Sequence, residues 1–203
     1  MRLEHCHNFH DFRRLAKRRL PRPIFDYIEG AADDETTFRR NTVSFDACDL
    51  IPNVLAGVAE IDMSVTVMGQ KLDTPFYCSP TAIQRLFHHD GERAVAAAAA
   101  KHGTMFGVST LGTASLQEVR KHKGPQIYQF FFHKDRGLNQ SMMQEAKRVG
   151  VDVMMLTVDS ITGGNRERDT RSGFAIPFHL TLESLLQFEI GRASCRERVL
   201  ASV

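Results

Sequence analysis

The sequence has little of what usually announces a specialised class of protein. Its 203 residues carry 26 Lys and Arg against 24 Asp and Glu, a formal net charge of +2. That balance gives no electrostatic argument for a nucleic-acid or strongly acidic partner. The four cysteines, Cys6, Cys48, Cys78 and Cys195, form no C-x-x-C pair. Neither a zinc ribbon nor a disulfide framework is suggested, and a reduced, cytosol-facing protein fits best. No apolar run approaches the roughly 18 residues of a membrane span, and Met1 to His7 (MRLEHCH) lacks the apolar core of a signal peptide. No G-x-G-x-x-G follows any apparent strand, which weighs against a nucleotide-binding doubly wound sheet. His5, Cys6, His7 and His10 lie close in sequence, but no other ligand set shares their spacing. They read as a solvated terminus, and no metal is expected.

What is present is ordinary for a globular domain, with 42% hydrophobic and 25% charged residues, but it is arranged in a definite order. Phe12, Leu15 and Ala16 share a helical face that ends at Leu20–Pro23. The basic cluster Arg13, Arg14, Lys17, Arg18 and Arg19 is the wet side of that helix. Ile24 to Ile28 reads as a short apolar turn closed by Gly30. Asp33 or Asp34 can cap the next helix, through Thr36, Phe38 and Arg40. Val65–Val67 followed by Gly69-Gln70 predicts a small hairpin.

From Thr74 onward, buried strands alternate with helices. Strands are predicted at Phe76–Ser79, Met105–Ser109, Gln126–Phe132 and Val151–Thr157. Helices are predicted at Glu92–His102, at Ser115–His122 with a capping box formed by Ser115 and Glu118, and from about Leu138 to Val149. This alternation predicts successive βαβ units on a parallel sheet. Every strand ends in hydrogen-bonding side chains: Ser79 and Thr81, Ser109 and Thr110, Gln129, then Thr157 and Asp159. In a (β/α)8 barrel such ends converge on one rim, where ligands sit. The expected fold is therefore a partial TIM barrel of about four βα units behind an N-terminal helical segment.

These strand ends carry a resemblance. Phe25–Gly30 (FDYIEG), Ser79–Ala82 (SPTA), Val108–Thr110 (VST), Gln129, Leu156–Asp159 (LTVD) and Gly164–Asp169 (GNRERD) resemble the FMN-dependent 2-hydroxy-acid dehydrogenases and oxidases, from about Asn8 to Phe188. The resemblance implies an FMN-bearing barrel of which this chain holds the N-terminal half. It implies that Pro80, Thr81 and Ala82 line the flavin ring, and that Ser109, Gln129 and Thr157 bond its polar edges. It implies that Tyr27 and Arg166 hold the substrate, the arginine forking onto its carboxylate, and that Asp159 orients a catalytic histidine. Phe131 stands where the family usually has a tyrosine facing the substrate, a loss on the order of 1 kcal/mol for one neutral hydrogen bond. His88 and His89 read as loop residues rather than as the base. The family's lysine, histidine, second arginine and phosphate loops belong to later strands and have no match here.

The implied activity of the intact parent is oxidation of an L-2-hydroxy acid, above all L-lactate to pyruvate, with this chain alone inactive. Implied partners are the hydroxy acid, a quinone or cytochrome acceptor and further copies of the parent. The implied location is the cytoplasm, with contact at the inner face of the plasma membrane left open by the loop that begins at Phe174. Two other readings stand beside it: a non-catalytic half-barrel that binds a flavin or a partner chain, and another FMN- or phosphate-binding barrel enzyme. Residues 189–203 form the last expectation. Glu189 to Val199 reads EIGRASCRERV, resembles a translated sequencing adapter, and interrupts an amphipathic run at Leu182, Leu185 and Leu186. The family domain is accordingly expected to end at 188, followed by a non-native tail.

Overall fold

A computed structural model describes residues 2–159 and 162–174. The adapter-like tail, Cys195, the run from Leu182 and all but the first residue of the Phe174 loop lie outside the described residues. The chain divides into two compact units, Met1–Pro52 with Thr162–Val203, and Asn53–Ile161.

The first unit is helical. Helix α1 spans Phe9–Arg19, and its start is closed by a reciprocal pair. The Asn8 side chain accepts from the Asp11 amide at 3.0 Å, and the Asp11 carboxylate accepts from the His7 amide at 3.0 Å. Of the predicted face only Leu15 is fully buried, while Phe12 is half exposed. The basic side of α1 is not uniformly wet, because Arg13 Nε donates to the buried Glu29 at 2.6 Å and Arg14 pairs with Asp11.

Ile24 to Ile28 is more than a turn: it is the middle of helix α2, Arg22–Glu29. Proline in the first turn lacks only a donor that would be unpaired there anyway, so the sequence that stops α1 also starts α2. Gly30 ends it, and a Cβ there would lie 2.7 Å from the Asp26 carbonyl oxygen. Helix α3, Thr36–Val43, is not capped by Asp33 or Asp34. Its N-cap is Glu35 in a left-handed conformation, with a carboxylate that accepts from the Ala31 amide at 3.1 Å and pairs with Arg168.

The second unit opens with a hairpin, β1 (Val65–Val67) and β2 (Gln70–Leu72), paired antiparallel. Its two-residue loop, Met68-Gly69, has φ of 51° and 76°, the positive pair that matches strand twist in tight hairpins. Then follow β3 (Cys78–Thr81), α4 (Glu92–Lys101), β4 (Phe106–Ser109), α5 (Leu116–Arg120), β5 (Gln126–Phe131), α6 (Arg136–Val149) and β6 (Val153–Thr157). The four strands form one parallel sheet in the order β3-β4-β5-β6. The sheet is open, with no closed barrel among the described residues. Helix α5 has the expected capping box on Ser115 and Glu118, and α6 ends at Gly150 in the left-handed region, φ 78°.

The first strand differs from expectation. It begins two residues later than Phe76, leaves Phe76 and Tyr77 exposed, and is only half buried. As an edge strand with a register shift between Cys78 and Thr81, it has one neighbour to pack against rather than two. The other edge, β6, alternates between half-buried and exposed for the same reason.

The two faces of the sheet separate by the period of two along each strand. Phe106 and Val108 pack with Ala96, Ala99, Ala114 and Val119 under α4 and α5, and Tyr128 and Phe130 pack with Ala146 of α6. On the opposite face Ile127 and Met105, both fully buried, pack with Leu72 and half-buried Val65, Val67, Val153 and Met155. The hairpin therefore covers that face at the N-terminal ends of the strands. Burying one such aliphatic side chain contributes about 1.5–3 kcal/mol. Ser109, Gln129 and Thr157 fall on this same face by alternation, at the C-terminal ends, beyond the hairpin's reach.

Candidate active site

Gln129 is the hub of that edge. Its Oε1 accepts from Ser109 Oγ at 3.1 Å and from the Thr110 amide at 3.3 Å, and its Nε2 donates to Thr157 Oγ1 at 2.6 Å. A backbone amide can only donate, so Thr110 fixes which end of the Gln129 amide is oxygen. Ser109 Oγ also accepts from the Leu111 amide at 3.1 Å. Three neighbouring strand ends are thus tied into one row, with Ser109 and Gln129 both buried. Among the described residues, one Nε2 proton of Gln129 and the Thr157 hydroxyl proton remain to donate. The row holds no ionisable group, and fixed neutral donors of this kind suit the polar edge of a flat, uncharged heterocycle.

The remaining predicted ring contacts stand at the same end of the sheet. Pro80 and Ala82 are half buried, and Pro80 lies so close to β4 that a Cβ on Gly107 would be 2.8 Å from its backbone nitrogen. Thr81 does not join the row. It pairs in register with Val108, is exposed, and its hydroxyl accepts from Gln84 Nε2 at 2.7 Å. Phe131 is half buried opposite Thr157. Asp159 is exposed just past β6. His88 and His89 are exposed beside Asp90 in the loop before α4, with His89 Nε2 3.2 Å from its carboxylate; both are loop residues as expected.

Tyr27 and Arg166 belong to the first unit, and there they meet. The Arg166 guanidinium carbon sits 5.1 Å from the Tyr27 ring centroid, a cation–π arrangement. Arg166 also donates to the Tyr27 carbonyl oxygen and, through Nε, to Asp169 at 2.6 Å. Phe174 stacks on the Tyr27 ring, centroids 4.3 Å apart. Two of the guanidinium's five donors are therefore occupied within the unit, which holds the group in one orientation and leaves the others available. Asp169, which receives Arg166, stands in the sequence as the last residue of the Gly164–Asp169 motif, with no role of its own assigned there.

Two further residues were not singled out by sequence reasoning. Glu92 is fully buried, and its carboxylate accepts from the Thr113 amide at 2.8 Å, the Thr113 hydroxyl at 2.7 Å and the Gln84 amide at 3.2 Å. Burial alone would push this carboxyl up. The hydrogen bonds from Thr113 and Gln84 outweigh that effect and hold it below the ordinary glutamate value. Gln84 is buried as well and links Glu92 to Thr81. In sequence, a glutamate opening an alanine-rich helix reads only as a solvated partner of the helix dipole.

Comparison with known proteins supplies the class to which this parallel sheet belongs. The family described as FMN-dependent dehydrogenase matches residues 16–200, and the chain belongs to that family, whose cofactor is FMN. The matched span runs past residue 188, into the stretch expected to be foreign. Among relatives, the L-lactate oxidase of Nostoc is 39% identical over 183 residues, 88% of this chain and 50% of its own length. Glycolate oxidase 1 of Zea mays is 37% identical over 187 residues, 91% of this chain and 50% of its own. Among solved structures, a Pediococcus acidilactici lactate oxidase superposes with a TM-score of 0.80 at 31% identity, covering 92% of this chain and 52% of its own. A monotopic membrane (S)-mandelate dehydrogenase gives 0.87 at 28% identity, covering 96% and 52%. The chain spans about half the length of the relatives it matches. No helix among the described residues is long and apolar enough to cross a membrane.

Proposed function

We propose that the intact parent oxidises an L-2-hydroxy acid, L-lactate foremost, to the 2-oxo acid, and that this chain carries the first half of the site. The observation that carries the reading is the Ser109–Gln129–Thr157 row at the C-terminal ends of three parallel strands. FMN, when bound, supplies the electron sink. In this reading the row holds its polar edge, with Pro80, Thr81 and Ala82 alongside the ring. A close backbone there would suit transfer, because a large side chain would block one face. Arg166, steadied by Asp169 and by the Tyr27 ring, presents its remaining donors to the substrate carboxylate and so orients the α-carbon. Tyr27 supplies the second substrate contact, and Phe131 leaves the hydroxy-acid oxygen one hydrogen bond poorer. Asp159 holds the tautomer of a histidine that takes the substrate's proton.

That histidine belongs to the half of the relatives this chain does not span, so the 203-residue polypeptide is inactive by itself. Electrons leave the parent to a quinone or cytochrome. The parent is an oligomer in the cytoplasm, and the loop from Phe174 is where contact with a membrane surface would lie. The family domain is taken to end at 188, with 189–203 foreign. Genomic DNA read beyond the Phe188 codon tests both statements. It should continue into a lysine-bearing fifth strand and a histidine–arginine pair after the sixth, whereas a stop codon there would overturn the proposal.

A further inference from the structure

Glu92 has no part in the function proposed above, yet it is a fully buried carboxylate. A buried charge is costly unless its hydrogen bonds are made, and the partners of this one are specific. One comes from the segment after β3, the Gln84 amide at 3.2 Å, and two come from the segment after β4, the amide and hydroxyl of Thr113 at 2.8 and 2.7 Å. The segment after β3 leads back to Thr81, and the segment after β4 leads back to Ser109 of the row. Gln84 Nε2 donates to Thr81 Oγ1 at 2.7 Å. The Thr113 hydroxyl also accepts from the Arg85 amide at 3.1 Å, Ile83 donates its amide to the Leu111 carbonyl at 3.0 Å, and Leu111 donates to Ser109 Oγ at 3.1 Å. Ile83 is held in the left-handed region, φ 46°, a conformation that a β-branched residue keeps only when its surroundings impose it.

We propose that Glu92 is a positioning residue: its carboxylate locks the segments after β3 and β4 to each other and so sets where Thr81 and Ser109 stand at the flavin-facing edge. This rests on the proposed function for what the edge faces, but not for the lock itself. The lock is strongest when Glu92 is charged, because both carboxylate oxygens then accept charge-assisted hydrogen bonds, whereas an amide or carboxylic acid of the same size makes only the weaker neutral ones. The charged and titratable groups around it are Arg85, His88, His89 and Asp90 on the preceding loop, Arg93 on α4 and Glu118 on α5. Arg93 is itself taken up by Glu118 at 3.4 Å and by the His89 carbonyl at 3.2 Å, and Asp90 faces the two imidazoles.

The test is amide hydrogen exchange on the full 203-residue chain, comparing wild type, Glu92→Gln and Thr113→Val. In Glu92→Gln the Gln84 and Thr113 amides should exchange at least about tenfold faster together, while Ile127 and Gln129 in β5 stay unchanged, as expected for a local rather than a global opening. Acidifying wild type to below the ordinary carboxylate range should produce the same joint loosening, and Glu92→Gln should show no such pH step. Should Glu92→Gln fail to fold, Thr113→Val decides, because loosening of Gln84 across the gap is expected there too. Independent exchange of the two segments, or no pH step in wild type, overturns the lock. Titrating FMN into the same proteins separates the two readings. Coupled exchange without any flavin response refutes the flavin-facing edge and leaves the lock standing; uncoupled exchange refutes the lock whatever the flavin does.

Discussion

At the scale of residues, Gln129 and Gly107 do the most with the least freedom. The Gln129 amide satisfies Ser109, Thr110 and Thr157 at once, so Gln129→Leu strands polar groups beside an apolar side chain. The expected loss is about 1–3 kcal/mol, read as a lower urea midpoint. Gly107 faces β3 with no room to spare, since an added Cβ would meet Pro80 Cδ at 2.7 Å and its nitrogen at 2.8 Å. The obstacle is backbone and ring rather than a mobile side chain, so Gly107→Ala should destabilise by about 1–3 kcal/mol and displace Pro80. A third prediction concerns pH. Glu92 titrates below the ordinary glutamate value in the fold. Its stabilisation is therefore complete above the unfolded value and is lost as pH falls through the lower folded one. Urea midpoints for wild type and Glu92→Gln should differ at neutral pH and converge in acid. Gln129 was legible in the sequence because a polar residue within an otherwise apolar strand is conspicuous. Glu92 was not, because only the tertiary fold brings two distant segments to its carboxylate.

At the scale of elements, local chemistry accounts for most of what the sequence revealed. Ser115 and Glu118 cap α5 as expected, and Ser115→Ala should weaken that helix by about 1 kcal/mol, visible as faster exchange confined to residues 116–120. The hairpin was legible from Gly69, yet Met68 sits at φ 51° with no glycine or asparagine to ease it. Met68→Asn should accordingly raise stability by up to about 1 kcal/mol. The misreadings share one cause, which is that neighbours in space overrode local preference. Pro21 and Pro23 read as a break but also open α2. Asp33 looked like a cap, yet its carboxylate accepts from Asn165 of a distant segment. The start of β3 read as buried because Phe76 and Tyr77 are apolar, and only the sheet order shows that this strand lies on an edge.

At the scale of the whole molecule, the four-stranded sheet and the half-length match to relatives describe the same thing from two sides. β3 and β6 are edges of an open parallel sheet, and β6 exposes Met154 and Leu156, 45% and 54% accessible. Unprotected edges of this kind recruit other chains, so the polypeptide should associate as its concentration rises, measurable by light scattering. The barrel class was legible because polar strand ends recur with the βα alternation; closure was not, because the strands that would close it do not occur among the described residues. The central claim is that Ser109, Gln129 and Thr157 form the polar edge of a flavin site. Its most direct test is a nuclear magnetic resonance titration of the chain with FMN, following the Gln129 side-chain amide. The account predicts that this signal and the Thr110 backbone amide shift together while Gln126, at the opposite end of β5, stays still. Shifts centred elsewhere, or none at saturating FMN, would contradict it.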